Sequence, residues 1–434
     1  MHILIAPNAF KNSLSAEAAA DAILLGLQQS RLRFTAECFP VGDGGDGTGD
    51  LLMARLGAEK IESPTRDPLG RKRMSYYGLS GPTTSASSPT STSNPTTSTS
   101  GGPTSTTSPT SASDPTTSTT SSGPTSATSP TRTTSPTTAI IEMANASGLR
   151  LLTPQELAPL HAASWGTGDL IRASLDKKPT RILLGMGGSA TVDGGTGILS
   201  ALGVRFLDGN GHELTDLPAG LAHLAAIDLK GLDPRLKNVE ISVLCDVDNP
   251  LLGPQGAAAV FGPQKGASHQ DVRQLEQTLQ HFAAIVQHQL GISIADLPKG
   301  GTAGGAAAGL YGVLGARLVD GIAYFLKISE FEKALARAHW VITGEGSLDE
   351  QTLKGKGPFG VASAAKDKGL PVIALAGRLP REKSASLENY FDVLLPINHE
   401  AASLGDALTH TGANLTATAR AVGNLLAVAC EPTR

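Results

Sequence analysis

The chain has 434 residues, with 35 Lys and Arg against 39 Asp and Glu for a net charge of −4, so no basic field selects nucleic acid or an anionic membrane as a partner. Its three cysteines, Cys38, Cys245 and Cys430, lie far apart with no CxxC pair, which excludes a disulfide scaffold and a thiolate zinc site. The opening MHILIAPNAFK has no basic leader before an apolar core, and the longest uncharged stretch, 301–316, is mostly Gly and Ala, so the sequence reads as a soluble, cytoplasmic protein without a spanning helix.

HILIA (2–6) predicts a short buried strand. Ser15 then has the place of an N-cap, with Glu17 in the first turn of a helix on which Ile23, Leu24 and Leu27 share a face. RKRMSYYGLS (71–80) and TAIIEMA (138–144) read as strands on either side of a repeat tract. RILLG (181–185), VEISVLC (239–245), HWVIT (339–343) and PVIALAG (371–377) are continuous apolar runs followed by glycine-rich turns. That alternation of buried strand, turn and helix is the pattern of parallel sheets covered on both faces. A chain of this length calls for at least two α/β domains.

The tract from Ser80 to Thr138 holds 59 residues, of which 40 are Ser or Thr, 9 are Pro and 4 are Gly. It repeats with a period of 21, GPTTSASSPTSTSNPTTSTSG being followed by GPTSTTSPTSASDPTTSTTSS. No repeat carries a Leu, Ile, Val or aromatic side chain to stack. Ordering such a segment costs roughly 1–2 kcal/mol per residue in backbone entropy with almost nothing apolar to offset it, so 81–138 is expected to be a disordered insertion with polyproline II character. A glycosylated mucin-like stalk has the same composition, but the absent secretory signal favours a loop expanded at a hairpin tip, where added length costs little.

Sites in open α/β sheets form beyond the carboxyl ends of strands, so the loops after each strand hold the chemistry. APNAFKNSLSAE (6–17) places Lys11 before a helix N-terminus, a pairing suited to an anion. VGDGGDGTGD (41–50) sets Asp43 and Asp46 among glycines, the ligand type that Mg²⁺ shares with phosphate oxygens. GMGGSATVDGGTG (185–197) offers a row of backbone N–H groups with Ser189, Thr191 and Asp193, resembling a phosphate cradle without the Walker A lysine. Gly185, Gly187 and Ala190 also fit a dinucleotide fingerprint with Asp208 downstream, but Asp193 and Gly194–Gly195 delay the helix that a nicotinamide site would start earlier. CDVDNPLLGPQGAAAVFGPQKGAS (245–268) brings Asp246, Asp248 and Asn249 to a strand end, with Lys265 downstream, and TGEGSLDEQTLKGKGPFGVA (343–362) supplies Glu345, Asp349 and Lys356. No GxSxG serine and no His/Cys pair accompanies them. Carboxylates, lysines and glycine cradles without a paired nucleophile are the inventory of phosphoryl transfer.

These segments, together with GTAGGAAAGL (301–310), run in one order and resemble the 2-phosphoglycerate-forming glycerate kinases of bacteria over the whole chain except 81–138. The resemblance implies an α/β protein of two domains, a flavodoxin-like parallel-sheet domain (71–294) inserted in a discontinuous domain (1–70 and 295–434). It implies ATP and Mg²⁺ as cofactors, D-glycerate as the small-molecule substrate and no nucleic-acid or membrane partner, and it admits a homodimer. Kinases of another short hydroxy acid, or of the 3-hydroxyl, and less closely a hydroxy-acid dehydrogenase, remain alternatives. On these motifs Asp193 or Asp248 is expected to take the substrate proton, with Lys11 and Lys265 neutralising charge. Asp43, Asp46 and Glu345 are expected at the metal or ribose, and Gly187, Gly188, Ser189, Asn249, Gly304, Gly305 and Lys356 at substrate or nucleotide.

Overall fold

The computed structural model describes residues 1–81, 137–350, 352–353, 355–382 and 384–430. In chain order the strands are β1 (His2–Ile5), β2 (Thr35–Cys38), β3 (Glu59–Arg66), β4 (Lys72–Ser80), β5 (Thr138–Glu142), β6 (Arg181–Gly185), β7 (Arg205–Leu207), β8 (Ala226–Asp228), β9 (Glu240–Cys245), β10 (Arg317–Asp320), β11 (Trp340–Ser347), β12 (Val372–Arg378) and β13 (Val393–Pro396). Every apolar run read as a strand from sequence is one. The short or polar strands β2, β3, β7, β8, β10 and β13 carry too little periodic signal to stand out.

Two larger sheets organise the molecule. One, built from both ends of the chain, has the order β13-β12-β11-β1-β2 and is parallel throughout. The other has the order β10-β9-β6-β5-β4-β3, parallel from β10 to β5 and antiparallel at β4 and β3. The flavodoxin-type arrangement expected in the middle of the chain is therefore found at its ends, because β2-β1-β11-β12-β13 is a 2-1-3-4-5 order. The middle sheet is mixed, because the β3–β4–β5 meander adds two antiparallel strands. It also begins at Glu59 and ends at Asp320, on either side of the 71–294 expected from sequence.

Alternation along β1 divides the core. Ile3 and Ile5 lie with Ile23 and Leu27 of the helix Ala16–Gln28 and with Leu415, Ala419 and Val422 of the helix Thr411–Cys430. Ser15 caps the first of these helices, its side chain accepting from Ala18 N–H. Gly26 makes this helix pair close, since a Cβ there would stand 2.2 Å from the Thr416 carbonyl oxygen. Leu4 points the other way, into a core shared with Ile140, Leu183 and Leu244 of the middle sheet. Both sheets thus contribute to one apolar layer, and the loops at their carboxyl ends meet.

The strands β4 and β5 pair antiparallel, with Ser80 opposite Thr138 and Leu79 opposite Ala139. The repeat tract therefore joins the two strand ends of a closed hairpin, although residues 82–136 themselves lie outside the described residues. Replacing 82–136 by a two-residue Asn-Gly turn should leave the melting temperature within about 2 °C and kcat within about twofold, because the paired strands already hold the closure. Calorimetry and steady-state assay of the shortened chain check this.

Candidate active site

The site is assembled by buried carboxylates that hold loop backbones. Asn8, in the loop after β1, donates from Nδ2 to Asp43 Oδ2 at 2.7 Å, and Gly357 N–H donates to the same oxygen at 3.2 Å. Gly45 N–H donates to Asp43 Oδ1 at 3.1 Å, and Asp43 is only 4% exposed. One side chain thereby joins the loop after β1, the 43–47 loop and the start of the helix Gly357–Lys366. The Gly44 carbonyl then accepts from Met186 and Gly187 N–H at 3.2 and 3.0 Å. Gly187 must be glycine, because a Cβ would fall 2.1 Å from Asp46 N.

Beneath this crossing sits Glu142, at the end of β5 and fully buried. Its two carboxyl oxygens accept from Gly47 N–H at 2.5 Å and Gly49 N–H at 2.6 Å, satisfying the amino end of the helix Thr48–Arg55. Burial pushes the Glu142 carboxyl up to about 8, aided by Asp46, against the pull of the two N–H donors.

Above these loops the charges gather around Lys11. The Lys11 residue is exposed, and although desolvation opposes its ammonium form, Asp246, Asp43, Glu345 and Asp46 together hold it above its ordinary value. Asp246 follows β9 and is half-buried. A Cβ on Gly45 would stand 3.6 Å from its Oδ2. Burial and the neighbouring Asp43 raise the Asp246 carboxyl, while Lys11 and Lys356 lower it. Glu345, on β11, is pushed up to about 7 by burial, against Lys356, the Thr352 hydroxyl and Lys11. The Thr352 hydroxyl donates to Glu345 Oε1 at 2.9 Å. Lys356, half-buried, immediately precedes the helix Gly357–Lys366. Carboxylates and amines from both sheets therefore act on one another in one place.

The glycine loop after β6 is organised from below. Asp193 is 0% exposed and saturated: Oδ2 accepts from Ser164 N–H at 2.8 Å, Ser164 Oγ–H at 2.6 Å and Gly197 N–H at 3.0 Å, and Oδ1 from Gly195 N–H at 3.1 Å. Lys265, 2% exposed, donates to Ser189 Oγ at 2.9 Å and to the Thr191 carbonyl at 2.6 Å. Gly188 takes φ +67° beside Asp46, and Gly304 takes φ +66° where a Cβ would meet the Thr191 carbonyl at 2.0 Å. Gly305, at φ +88°, starts the helix Ala306–Leu314.

Several expected site residues are placed otherwise. Asp193, expected to take a substrate proton, is enclosed by four donors and caps the turn into the helix Thr196–Ala201. Asp248 is exposed and paired with Lys299, while Asn249 Nδ2 donates to the Gln255 carbonyl at 2.7 Å. Lys265 is buried under the glycine loop, with its ammonium on Ser189 Oγ and the Thr191 carbonyl. Asp43 gives its oxygens to protein donors and the exposed Asp46 pairs with Arg150 at 3.2 Å, so with Glu345 they form no ready-made cage. Among the described residues no group of three or more His, Cys, Asp or Glu is arranged to hold a metal. Asp208 accepts from Asn210 and His212 N–H in the turn after β7. Sequence reading underrated Asp246, which stands two residues from Asp248 in the same motif, and missed Asn8 and Glu142 altogether. The one sequence signal for Asp246 is its place as the first residue after an apolar strand.

Residues 3–91 and 89–427 match the family model described as the glycerate kinase family. The chain belongs to the glycerate kinase family. It is 38% identical to a glycerate kinase of Bacillus subtilis over 97% of this chain and 96% of that one. It is 34% identical to the glycerate 2-kinase of Escherichia coli over 99% of this chain and 98% of that one. A solved chain described as a candidate glycerate kinase 2 of Salmonella typhimurium LT2 superposes with a TM-score of 0.74, 36% identity and complete coverage of both chains. Family membership makes the chain a kinase acting on an alcohol group, with ATP as the co-substrate that a kinase implies. Among the described residues no helix is long and apolar enough to cross a membrane.

Two outcomes follow from the buried carboxylates. Asp193→Ala strands several N–H donors in a dry interior and should cost about 2–4 kcal/mol of stability, read as a lower urea midpoint at unchanged m-value. Glu142 is held above its unfolded value, so its contribution to stability is complete below about pH 4.5 and is lost as pH rises through about 8. Glu142→Gln should remove that share of the slope in unfolding free energy measured between about pH 5 and 8.

Proposed function

We propose that the chain transfers the γ-phosphoryl group of ATP to the 2-hydroxyl of D-glycerate, giving 2-phospho-D-glycerate and ADP. The observation that carries this reading is the meeting of Lys11, Asp246, Glu345 and Lys356 at the carboxyl ends of both sheets. The 2-position is supported by the likeness to the Escherichia coli enzyme named glycerate 2-kinase.

In this reading Asp246 is the carboxylate that accepts and orients the proton of the attacking hydroxyl. It is part-exposed, stands at a strand end and is flanked by two ammonium groups, as a base near a transferring phosphoryl must be. Lys11 and Lys356 neutralise charge on the phosphoryl oxygens and the glycerate carboxylate. The backbone N–H groups of Gly188, Ser189 and Thr191, unlike those of Met186, Gly187 and Ala190 that donate to Gly44 and Ser147 carbonyls, offer a cradle to phosphates together with those of Ala303 and Gly304. Mg²⁺ fits as an ion carried mainly by phosphate oxygens. The crowding of four carboxylates about Lys11 leaves negative charge in excess there, and Mg²⁺ asks for only one or two protein carboxylates. Glu345 and Asp46 are the residues to hold it, and its chemistry would be neutralisation of the triphosphate. The middle sheet and its helices we read as a domain inserted in the one built from the chain ends, in the cytoplasm.

Asp246→Asn should lower kcat by at least about 10², the usual scale of a proton-transfer contribution, with the melting temperature kept. A coupled ADP assay with D-glycerate, with phosphorus–proton NMR of the product, tests both the residue and the 2-position. A kcat near that of the unaltered chain would remove Asp246 as the base.

A further inference from the structure

Lys265 is a buried amine with no carboxylate paired to it among the described residues. It is 2% exposed, and its two acceptors, Ser189 Oγ and the Thr191 carbonyl, are neutral. Among the described residues Asp193 is the charged group that favours its ammonium form, and that carboxylate is engaged by four donors of its own. Burying an unpaired ammonium is costly, so a group in this place is poised between its charged and neutral forms. Both acceptors belong to the glycine loop after β6. Within the same loop the Thr191 hydroxyl is fully buried and, among the described residues, has no hydrogen-bond partner. The close approach of Gly304 to the Thr191 carbonyl presses a second glycine turn against that loop.

We propose that Lys265 is the cationic floor of the 186–191 loop, and that a nucleotide phosphate held at that loop is bound together with a proton taken from solvent onto Lys265 Nζ. The inference rests on the reading of the loop as a phosphate cradle. An anion brought to the loop supplies the missing counter-charge, so the ammonium form is favoured in the complex and the amine lone pair takes up a proton on binding. Burial already holds Lys265 down at about 7 in the free protein, so uptake falls in the neutral range where it is measurable. Lys265 is thus a positioning residue: it acts on phosphate through Ser189 and Thr191, not by contact.

The test is titration calorimetry of magnesium–ADP into the full chain at about pH 8, where the nucleotide phosphates are already ionised. Running it in two buffers of different ionisation enthalpy yields the number of protons exchanged. The unaltered chain should take up several tenths of a proton per ADP. Lys265→Met should take up none, and neither should Lys265→Arg, whose guanidinium stays charged. Should both variants fail to fold, the unaltered chain still decides, because its ADP affinity should fall as pH rises from about 7 to 9, by up to tenfold per unit. ADP binding with no proton uptake and no such pH dependence overturns the proposal and leaves the kinase reading standing. Absence of both ADP binding and glycerate-dependent ADP release overturns the kinase reading, and this proposal with it.

Discussion

A buried carboxylate facing backbone N–H groups is the interaction on which the rest of the molecule depends. Asp43, Glu142 and Asp193 each do this, at three loop crossings. Glycine-rich loops lose much conformational entropy on folding and have no side chains to pack, so they need a specific electrostatic anchor. A buried carboxyl group with two or more N–H donors supplies one that is directional and strong in a dry interior. Asp43 is the widest in reach, since it joins the loop after β1, the 43–47 loop and a segment from the last third of the chain.

Anchoring the loops in this way separates two kinds of charge that look alike along the chain. The carboxylates that hold backbone are enclosed and committed. Those that remain available, Asp246 and Glu345, are raised by burial and by the neighbouring Asp43 and are balanced by Lys11 and Lys356. The same division applies to lysine, with Lys11 exposed among carboxylates and Lys265 sealed beneath a loop. A site for a polyanion and a small acid needs both kinds, one to shape the cradle and one to meet the ligand.

Close backbone approach is the second constraint. Gly187 against Asp46, Gly304 against the Thr191 carbonyl and Gly357 against Asn8 leave no room for a Cβ. The first of these contacts brings loops from the two sheets to van der Waals distance and the other two close loops within one sheet, so that side chains such as Asp246 and Lys11 interact across the junction. Loosening one of them would shift the charges relative to one another before it unfolded anything.

The sequence by itself determined the α/β class, the main apolar strands, the Ser15 cap and the loops that carry the chemistry, because hydrophobic runs, caps and glycine clusters are local signals. The hairpin around the repeat tract was legible for the same reason, as two strand-like runs flanking it. Sheet order was not, since β2 and β10 pair with strands well separated along the chain, and the patterns of β2, β3 and β10 are themselves weak. Nor was the sorting of carboxylates. Asp193 and Asp246 are both aspartates in glycine- or asparagine-bearing loops after apolar strands, and only the tertiary structure decides that one meets four donors in a closed interior and the other meets two amines at a junction. That decision rests on burial and on partners distant along the chain, and no spacing rule along a sequence contains either.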